Sequence, residues 1–212
     1  MELELQPARE KDSEGDDQET SSLYSPSSST VGSTEIIFDL WADEVARAVV
    51  NVSLDFDEPS KIFPDLFLGG RDSATNATEL RRLGVTHILN LGGLHLHFPD
   101  HGPPFAHMDL EADDRSDFPL MDLFYTECRN FVQTARAEKG KVLIHCRGGV
   151  NRSATIVVAL CMDLEGWDLL TAVRYVFKRR PIILANRGFQ RQLVHFAWSK
   201  NQLVPKRDSQ SS

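Results

Sequence analysis

The chain of 212 residues has few cysteines, no long apolar run and no basic signal at its start. Its three cysteines, Cys128, Cys146 and Cys161, show neither the close pairing of a zinc site nor the density of a disulfide framework, which is typical of reducing compartments. No apolar stretch approaches the roughly 18 residues that a membrane helix needs, and the acidic first residues do not resemble a secretory signal. We therefore expect a protein of the cytoplasm, the nucleus or both, without contact to a membrane.

Acidic residues outnumber basic ones, which gives a net charge of -8. This excess of negative charge is unevenly distributed along the chain. Eight acidic residues against Arg9 and Lys11 lie among the first twenty positions, which leaves the rest of the chain nearly balanced. Proteins that bind the phosphate backbone of nucleic acids normally carry a basic excess. We therefore expect no extended nucleic acid as a partner.

Composition divides the chain into tails and one domain. Residues 1–34 are acidic and then Ser-rich, with almost no bulky apolar side chains, which predicts a disordered tail. An amphipathic helix and a connector are predicted at 35–57. Strands and helices alternate through 58–200, which we assign to a single domain, and 201–212 is predicted to be a flexible C-terminal tail.

The helix before the domain is predicted from apolar residues at helical spacing, with Asp39 as the candidate N-cap. These residues are Trp41, Val45 and Val49, with Leu40 and Ala48 beside them. Such a helix either packs on the domain or presents its apolar face to a binding partner.

Within the domain, short apolar strands alternate with amphipathic helices. Strands are predicted at 62–68, 85–91, 105–110 and 141–144, and helices at 76–83, 120–137, 152–164, 168–178 and 187–199. The alternation predicts the α/β class, as a single three-layer domain with a central, largely parallel, twisted sheet and helices on both faces.

The candidate chemistry lies in residues 145–153, His-Cys-Arg-Gly-Gly-Val-Asn-Arg-Ser, between a buried strand and an apolar helix. A helix N-terminus presents unpaired N–H groups and the positive end of the helix dipole, and a tight loop before it can direct further N–H groups toward the same anion. Gly148 and Gly149 permit the main-chain angles that such a loop requires. We call residues 146–152 the Cys–Arg loop and expect a phosphate dianion as its ligand.

Cys146 is the candidate nucleophile, because a helix N-terminus and nearby cations favour the nucleophilic thiolate. The planar guanidinium of Arg152 can bind two phosphate oxygens, and the hydroxyl of Ser153 can donate to the sulfur. An inert buried thiol, the alternative for any free cysteine, is the expectation for Cys128 and Cys161. The predicted substrate-binding residues are those between Cys146 and Arg152: Arg147, Gly148, Gly149, Val150 and Asn151. Arg147 is also placed to steer the charge of the substrate.

Residues 145–153 resemble the signature loop of the protein tyrosine phosphatase superfamily, and the wider chain resembles its atypical dual-specificity branch. The segments at 66–69, 83–90 and 186–193 are similar to three further motifs of that branch, so that the likeness covers residues 58–200. The resemblance implies a phosphatase-like domain that hydrolyses phosphate esters without a metal or other cofactor.

The resemblance also implies a general acid, an aspartate in the loop before the helix that precedes the strand at 141–144. Counting back four residues from Phe118, the apolar position that opens the next helix, identifies Asp114, with Asp113 as the alternative. One position departs from the family, because Asn151 stands where dual-specificity enzymes often have serine and where related RNA 5′-triphosphatases often have asparagine. The region offers four aspartates in all: Asp109, Asp113, Asp114 and Asp117.

Together, the residues and the resemblance predict a protein phosphatase that hydrolyses phosphotyrosine and phosphoserine or phosphothreonine through a phosphocysteine intermediate. Cys146 would attack phosphorus while Asp114 protonates the leaving oxygen and later activates water. Phosphoproteins are the expected substrates, with signalling kinases among the candidates. Hydrolysis of an RNA 5′-triphosphate or a phosphoinositide, and phosphoprotein binding without turnover, remain as alternatives.

Other polar residues near these motifs have simpler interpretations. His145 is expected to orient the loop and to tune the thiolate. Lys178, Arg179 and Arg180 end a helix, where positive charge complements the dipole, although a docking patch for acidic substrates is the alternative. The histidines between 95 and 107 lack the regular spacing of metal ligands, so no metal site is predicted.

Overall fold

The computed structural model describes residues 28–49, 58–93 and 102–203 of the chain. The helices and strands in these ranges follow one another as α1 (Ser28–Ala48), β1 (Ser60–Phe63), β2 (Leu66–Gly69), α2 (Arg71–Thr75), α3 (Ala77–Leu83), β3 (His87–Asn90), β4 (Ala106–Asp109), α4 (Leu120–Ala137), β5 (Val142–His145), α5 (Arg152–Glu165), α6 (Leu169–Arg179) and α7 (Arg187–Ser199). Helix α4 and helix α7 have the bounds that their apolar periodicity predicts.

The strands form a five-stranded sheet in the order β1-β2-β5-β3-β4. Strand β1 runs antiparallel to β2, and the pairs β2–β5, β5–β3 and β3–β4 are parallel. The prediction of one strand over 62–68 was wrong, because Pro64 and Asp65 form a turn that divides it into β1 and β2. Proline lacks an N–H group for the ladder and presets a turn conformation, so this pair ends one strand and begins a hairpin.

Helices cover both faces of the sheet, which confirms the three-layer prediction. Successive side chains of a strand point to opposite faces, and those of β2 separate accordingly. Phe67 packs in a smaller apolar cluster with residues of α2 and α3, including Leu80. Leu66 and Leu68 belong to the larger cluster, which contains the apolar faces of α4, α5, α6 and α7. The short helix α2 was not predicted.

Helix α5 lies at the centre of the larger layer. Its residues from Arg152 to Met162 are all buried, because α4, α6, α7 and strand β5 surround it. A helix that is apolar all round is typical of such a position. The arrangement fixes the N-terminus of α5 at the carboxyl end of the central strand β5, and this is the edge of a parallel sheet where ligands commonly bind.

Helix α1 packs on α7 but begins earlier than predicted. It starts at Ser28, inside the segment 1–34 that was assigned to the tail, so that boundary was wrong, and Asp39 lies within the helix rather than at its N-cap. Of the predicted apolar set, Trp41 and Ala48 are only partly buried and Leu40 is 58% exposed. The buried face consists of Phe38, Ala42, Val45 and Val49. Residues 1–27 and the connector at 50–57 lie outside the described residues.

Ion pairs supplement the apolar contact between α1 and α7. Arg187 Nη2 lies 2.7 Å from Asp43 Oδ1, and Arg191 pairs with Glu35. These arginines project from α7 toward acidic residues of α1, so the two helices are joined by both charge and apolar burial.

The C-terminal boundary of the domain also lies later than predicted. Gln202 and Leu203 fall in the predicted tail 201–212 but are buried. The Gln202 side chain donates from Nε2 to the carbonyl oxygen of Met162 at 2.8 Å, and the main-chain carbonyl oxygen of Gln202 accepts from the Leu169 N–H at 2.9 Å. Residues 204–212 lie outside the described part of the chain, as do the histidines at 95, 97 and 101.

Among the described residues, no group of three or more histidine, cysteine, aspartate or glutamate side chains is arranged to hold a metal ion. Across the same ranges, none of the helices combines the length and the apolar character that spanning a membrane requires.

Candidate active site

Cys146 follows directly after strand β5 and is 2% exposed. Its Sγ accepts a hydrogen bond from Ser153 Oγ at 3.2 Å, and Ser153 lies in the first turn of α5. The parallel pairing of β5 with β2 and β3 holds the end of the strand rigidly between two neighbours. The sulfur therefore lies at the positive end of a buried helix, with a hydroxyl directed at it.

The carbonyl oxygens of the Cys–Arg loop are held from outside the loop by donors on other segments. The bonds run from Arg71 N to Arg147 O at 3.0 Å, from Arg180 Nη2 to Gly148 O at 3.1 Å, from Arg180 Nε to Gly149 O at 2.7 Å and from Leu184 N to Val150 O at 2.8 Å. The C=O and N–H groups of a trans peptide point in opposite directions. The N–H groups of 148–151 therefore face away from these donors, and none has an acceptor among the described residues.

Of the two loop glycines, only Gly149 occupies a position where a residue with a Cβ atom would not fit. Gly149 has φ 66°, and a Cβ there would lie 2.5 Å from Arg180 Nη2 and 2.6 Å from the carbonyl of Gly69. A Cβ at Gly148 would meet only Val150 Cγ2, at the ordinary distance of 3.5 Å. The prediction that both glycines permit special main-chain angles therefore holds for Gly149 and was wrong for Gly148.

Arg180 is the functional residue that the sequence analysis missed. It was interpreted as a charge at the end of a helix, yet its side chain is only 1% exposed and lies behind the Cys–Arg loop. Burial lowers the pKa of its guanidinium, and the charge of Cys146 opposes that shift. A basic residue after the last turn of a helix gives no sign of where its side chain goes, so the sequence carried no signal for this contact.

Arg152 is the first residue of α5 and is 8% exposed. Its Nη1 donates to the carbonyl oxygens of Ala112 at 2.8 Å and Leu91 at 3.2 Å. Its Nε is buried without a hydrogen-bond partner in the part of the chain that the structure describes. One corner of the guanidinium is thus anchored, while the Nε edge remains available to phosphate oxygens.

The structure brings Asp114 to the Cys–Arg loop. Asp114 Oδ2 lies 3.6 Å from Arg152 Nε, and the carboxylate is about one third exposed, at 34%. Asn151 Nδ2 donates to both carboxylate oxygens, at 3.1 and 3.2 Å, and Asn186 Nδ2 donates to Oδ1 at 3.0 Å. Asp114 therefore faces both the nucleophile's loop and solvent, as a proton donor to a bound ester requires.

The neighbouring aspartates lie elsewhere. Asp113 is exposed, and Asp117 pairs with Arg115 at 3.1 Å on the surface. Asp109 accepts a hydrogen bond from Asn90 Nδ2 at 2.8 Å at the end of β4. Among the four candidates, the described contacts join only Asp114 to the Cys–Arg loop.

His145 is buried behind the nucleophile. Its Nδ1 lies 3.4 Å from the carbonyl oxygen of Cys146. Burial lowers the pKa of His145 to about 4, against the smaller opposing effects of that carbonyl and of Asp109. The imidazole is therefore neutral at neutral pH and does not stabilise a thiolate by its charge.

The other two cysteines are far less reactive groups. Burial raises the pKa of both Cys128 and Cys161 to about 12. These thiols remain protonated at neutral pH, and thiols in that form are poor nucleophiles. Arg147, by contrast, projects from the Cys–Arg loop into solvent.

A buried thiol at the end of a central parallel strand, a loop whose N–H groups have no acceptor among the described residues and an arginine at the start of the next helix are the features of a cysteine-based phosphatase. The sequence agrees with this assignment, since the model of the family "Dual specificity phosphatase, catalytic domain" matches residues 66–198. The chain belongs to that family.

Individual relatives show how much of the chain is shared. The Xenopus laevis protein phosphatase Slingshot homolog is 38% identical over 150 residues, which are 70% of this chain and 21% of that protein. The rat dual specificity protein phosphatase 26 is 36% identical over 159 residues, which are 71% of this chain and 72% of the relative. The chain thus spans about a fifth of the length of the Slingshot relative, but most of the shorter one.

A solved structure supports the fold. The crystal structure of DUSP15 matches with a TM-score of 0.61 and 29% sequence identity, covering 70% of this chain and 93% of that one. The shared part is the catalytic domain, and helix α1 lies before the part that the family model matches.

Proposed function

We propose that this protein hydrolyses phosphotyrosine and phosphoserine or phosphothreonine in phosphoproteins. The observation that carries the proposal is the orientation of the Cys–Arg loop, whose carbonyl oxygens are bound from behind while its N–H groups have no acceptor among the described residues. Such a loop binds a tetrahedral dianion, and Cys146 lies at its first position. Membership of the dual-specificity phosphatase family supports the same activity.

In the first step of the proposed reaction, the Cys146 thiolate attacks phosphorus and the bond to the leaving oxygen breaks. Asp114 donates its proton to that oxygen, so that the substrate leaves as an alcohol or phenol. Arg152 and the loop N–H groups bind the three other phosphoryl oxygens throughout. The products of this step are phosphocysteine and the Asp114 carboxylate.

In the second step, water attacks the phosphocysteine and Asp114 accepts the proton of that water. The sulfur–phosphorus bond breaks, inorganic phosphate forms, and Cys146 leaves as a thiolate. Ser153 Oγ, 3.2 Å from Sγ, donates a hydrogen bond to the developing negative charge. The cycle needs no metal or other cofactor in either step.

We also propose the cytoplasm or the nucleus as the site of action, with signalling kinases among the substrates. A reducing compartment keeps the nucleophilic thiol active, and the described chain contains its three cysteines as free thiols. Expression of a tagged chain in cells, followed by fractionation, tests the location. Phosphoproteomic comparison of cells with wild type or Cys146→Ser protein tests the substrates.

A turnover panel tests the activity. Purified protein is assayed with phosphotyrosine and phosphothreonine peptides, a phosphoinositide headgroup and RNA bearing a 5′-triphosphate, with Cys146→Ser as the blank. We expect phosphate release from the peptides to exceed that from the other two substrates. Faster release from RNA or the inositol headgroup would assign a different substrate, and peptide binding without release would identify a phosphoprotein-binding domain.

A further inference from the structure

Asn151 joins three parts of the site through its side chain. Its Nδ2 donates to both carboxylate oxygens of Asp114, at 3.1 and 3.2 Å. Its Oδ1 accepts from the main-chain N–H of Asn186 at 3.0 Å. The residue is the last before α5, so one amide connects the end of the Cys–Arg loop, the loop of the general acid and the start of α7.

Asn186 supplies the second arm of this contact and is itself fixed. Its Nδ2 donates to Asp114 Oδ1 at 3.0 Å, while its Oδ1 accepts from the Gly188 N–H at 3.0 Å as the N-cap of α7. Ser116 Oγ donates to the same Oδ1 at 3.1 Å. Two amides on rigid supports thus hold one carboxylate.

The serine that is common at position 151 in related enzymes cannot reproduce this arrangement. A serine hydroxyl is attached directly to Cβ, whereas the amide of asparagine extends one bond further and carries a donor and an acceptor on opposite sides. A hydroxyl at this position would be too short to reach both the Asp114 carboxylate and the Asn186 N–H. The contact is therefore a property of asparagine at this place in the chain.

The main chain of Asn151 is held independently of its side chain. Its carbonyl oxygen accepts from Thr155 N and from Thr155 Oγ1, each at 2.8 Å. The preceding carbonyl, that of Val150, accepts from Leu184 N at 2.8 Å. Shortening the Asn151 side chain therefore removes the contact with Asp114 and leaves the supports of the phosphate cradle in place.

We propose that Asn151 is a positioning residue for the general acid, and that it holds the Asp114 carboxyl group over the Cys–Arg loop in the place where the leaving oxygen is protonated. The inference rests on the proposed function. It also predicts which substrates depend on Asn151, because a general acid matters most when the leaving group is a strong base. A merely structural contact would affect all substrates equally.

The test compares Asn151→Ser with wild type on two substrates. One is a phosphotyrosine peptide, whose leaving group needs a proton, and the other is an aryl phosphate with a strongly electron-withdrawing ring, whose leaving group does not. General acid catalysis contributes about 10²–10⁴-fold, and we expect loss of positioning to remove about tenfold of this in kcat/KM with the peptide. The ratio kcat/KM reports the steps up to the formation of phosphocysteine, whereas kcat also contains its hydrolysis, in which Asp114 acts for every substrate. With the activated ester the loss should be less than about twofold.

A double-mutant cycle with Asp114→Asn shows whether Asn151 acts through Asp114. In the Asp114→Asn background, Asn151→Ser should change kcat/KM for the peptide by less than about twofold. Asn130→Ser is the matched control, because it makes the same substitution at an exposed position of α4, and it should leave kcat/KM unchanged. Inorganic phosphate should inhibit Asn151→Ser and wild type with the same inhibition constant. This result would verify that the substitution leaves the phosphate-binding groups of the Cys–Arg loop in place.

The outcomes separate this inference from the proposed function. Equal losses on both substrates, or losses that multiply in the double mutant, overturn the positioning role of Asn151 alone. If Asp114→Asn itself shows no dependence on the leaving group, the assignment of Asp114 as general acid fails and the role of Asn151 fails with it. A tenfold loss confined to the peptide and absent from the Asp114→Asn background establishes the proposal.

Discussion

Arg180 Nε donates to the carbonyl oxygen of Gly149 at 2.7 Å, from behind the Cys–Arg loop. The same guanidinium reaches Gly148 O at 3.1 Å and Ser60 Oγ at 3.3 Å. A single buried cation therefore orients two adjacent peptide groups of the loop and connects them to strand β1. This contact lies outside the reacting atoms, yet it determines where the loop N–H groups point.

Arg180→Lys is expected to weaken both phosphate binding and stability. An ammonium group cannot donate to two carbonyls in the planar geometry of the guanidinium, and one unsatisfied buried carbonyl costs about 1–3 kcal/mol. We expect the inhibition constant of inorganic phosphate to rise about tenfold or more, with a lower melting temperature. The control is Arg179→Lys, since Arg179 contacts Tyr175 and not the loop. Unchanged phosphate inhibition in Arg180→Lys would contradict the supporting role.

Arg152→Lys is expected to lose most of the turnover while remaining folded. Lysine can retain a contact with Ala112 O but cannot offer the second, parallel donor to the phosphoryl oxygens. Removing one donor to a transition-state oxyanion typically costs about 10²–10³-fold in kcat, and we expect a loss of that size. Steady-state kinetics and thermal melting measure it, and a variant with more than a tenth of the wild-type kcat would refute the bidentate role.

Cys146→Ser is expected to abolish turnover and retain binding. The hydroxyl is a far weaker nucleophile than the thiolate at neutral pH, whereas the N–H groups of the loop and Arg152 are unchanged. Calorimetric titration with a phosphotyrosine peptide should therefore show saturable binding without phosphate release. Adding Arg152→Met to this variant is the control, and it should remove the binding. Turnover by Cys146→Ser near the wild-type rate would exclude Cys146 as the nucleophile.

His145 is expected to make the fold sensitive to mild acid. Its pKa in the folded protein is about 4, below the value of about 6.5 for an exposed histidine. The unfolded chain therefore binds a proton between about pH 6.5 and pH 4 that the folded chain does not, so stability falls as the pH is lowered through this window, by roughly 3 kcal/mol. Urea unfolding at a series of pH values measures the effect.

A variant isolates the contribution of His145 from that of the carboxylates. His145→Gln should flatten the pH dependence of the free energy of unfolding between about pH 4 and pH 6.5. His107→Gln is the comparison, because burial also lowers the pKa of His107, against the opposing charge of Asp109, and it should flatten the dependence less than His145→Gln. Parallel pH profiles for wild type and His145→Gln would show that the imidazole does not stay neutral in the folded protein.

Helix α1 is expected to contribute to stability and not to chemistry. Deleting residues 1–27, an acidic and Ser-rich segment with few bulky apolar side chains, leaves helix α1 in place, so turnover of a small aryl phosphate and the melting temperature should both stay unchanged. Deleting residues 1–49 removes the buried face of Phe38, Ala42, Val45 and Val49. Burial of each large side chain contributes about 1.5–3 kcal/mol, so this truncation should melt at a clearly lower temperature. Equal melting temperatures would contradict the packing of α1 on α7.

The sequence predicted the elements whose patterns are local and missed contacts between distant segments. Periodicity located α4 and α7 to the residue, since each has one apolar face over several turns. Periodicity did not predict the helix at residues 28–34, because this segment has few apolar side chains. These residues form the start of helix α1, whose contacts with the domain are made by later residues such as Phe38. Tertiary contacts, rather than local propensity, decide such an end.

The candidate site divides in the same way. Cys146, Arg152 and Ser153 are close in sequence and meet across one turn, so their spacing was informative. Asn151 reaches Asp114 and Asn186, and Arg180 reaches Gly149, across stretches of chain that no local pattern describes. The identity of these residues was visible in the sequence, but their partners were determined by the way in which helices α5, α6 and α7 pack together.

Because the groups proposed to bind phosphate are mainly main-chain N–H groups, they contact the phosphoryl group and do not distinguish the alcohols that carry it. Peptide N–H donors are the same whatever side chain bears the ester, so we expect exposed side chains around the loop, such as Arg147, to distinguish one phosphorylated side chain from another. These exposed side chains can change during evolution without disturbing the supports behind the loop. Related proteins with this architecture can therefore come to act on different phosphoesters while the mechanism of hydrolysis stays the same.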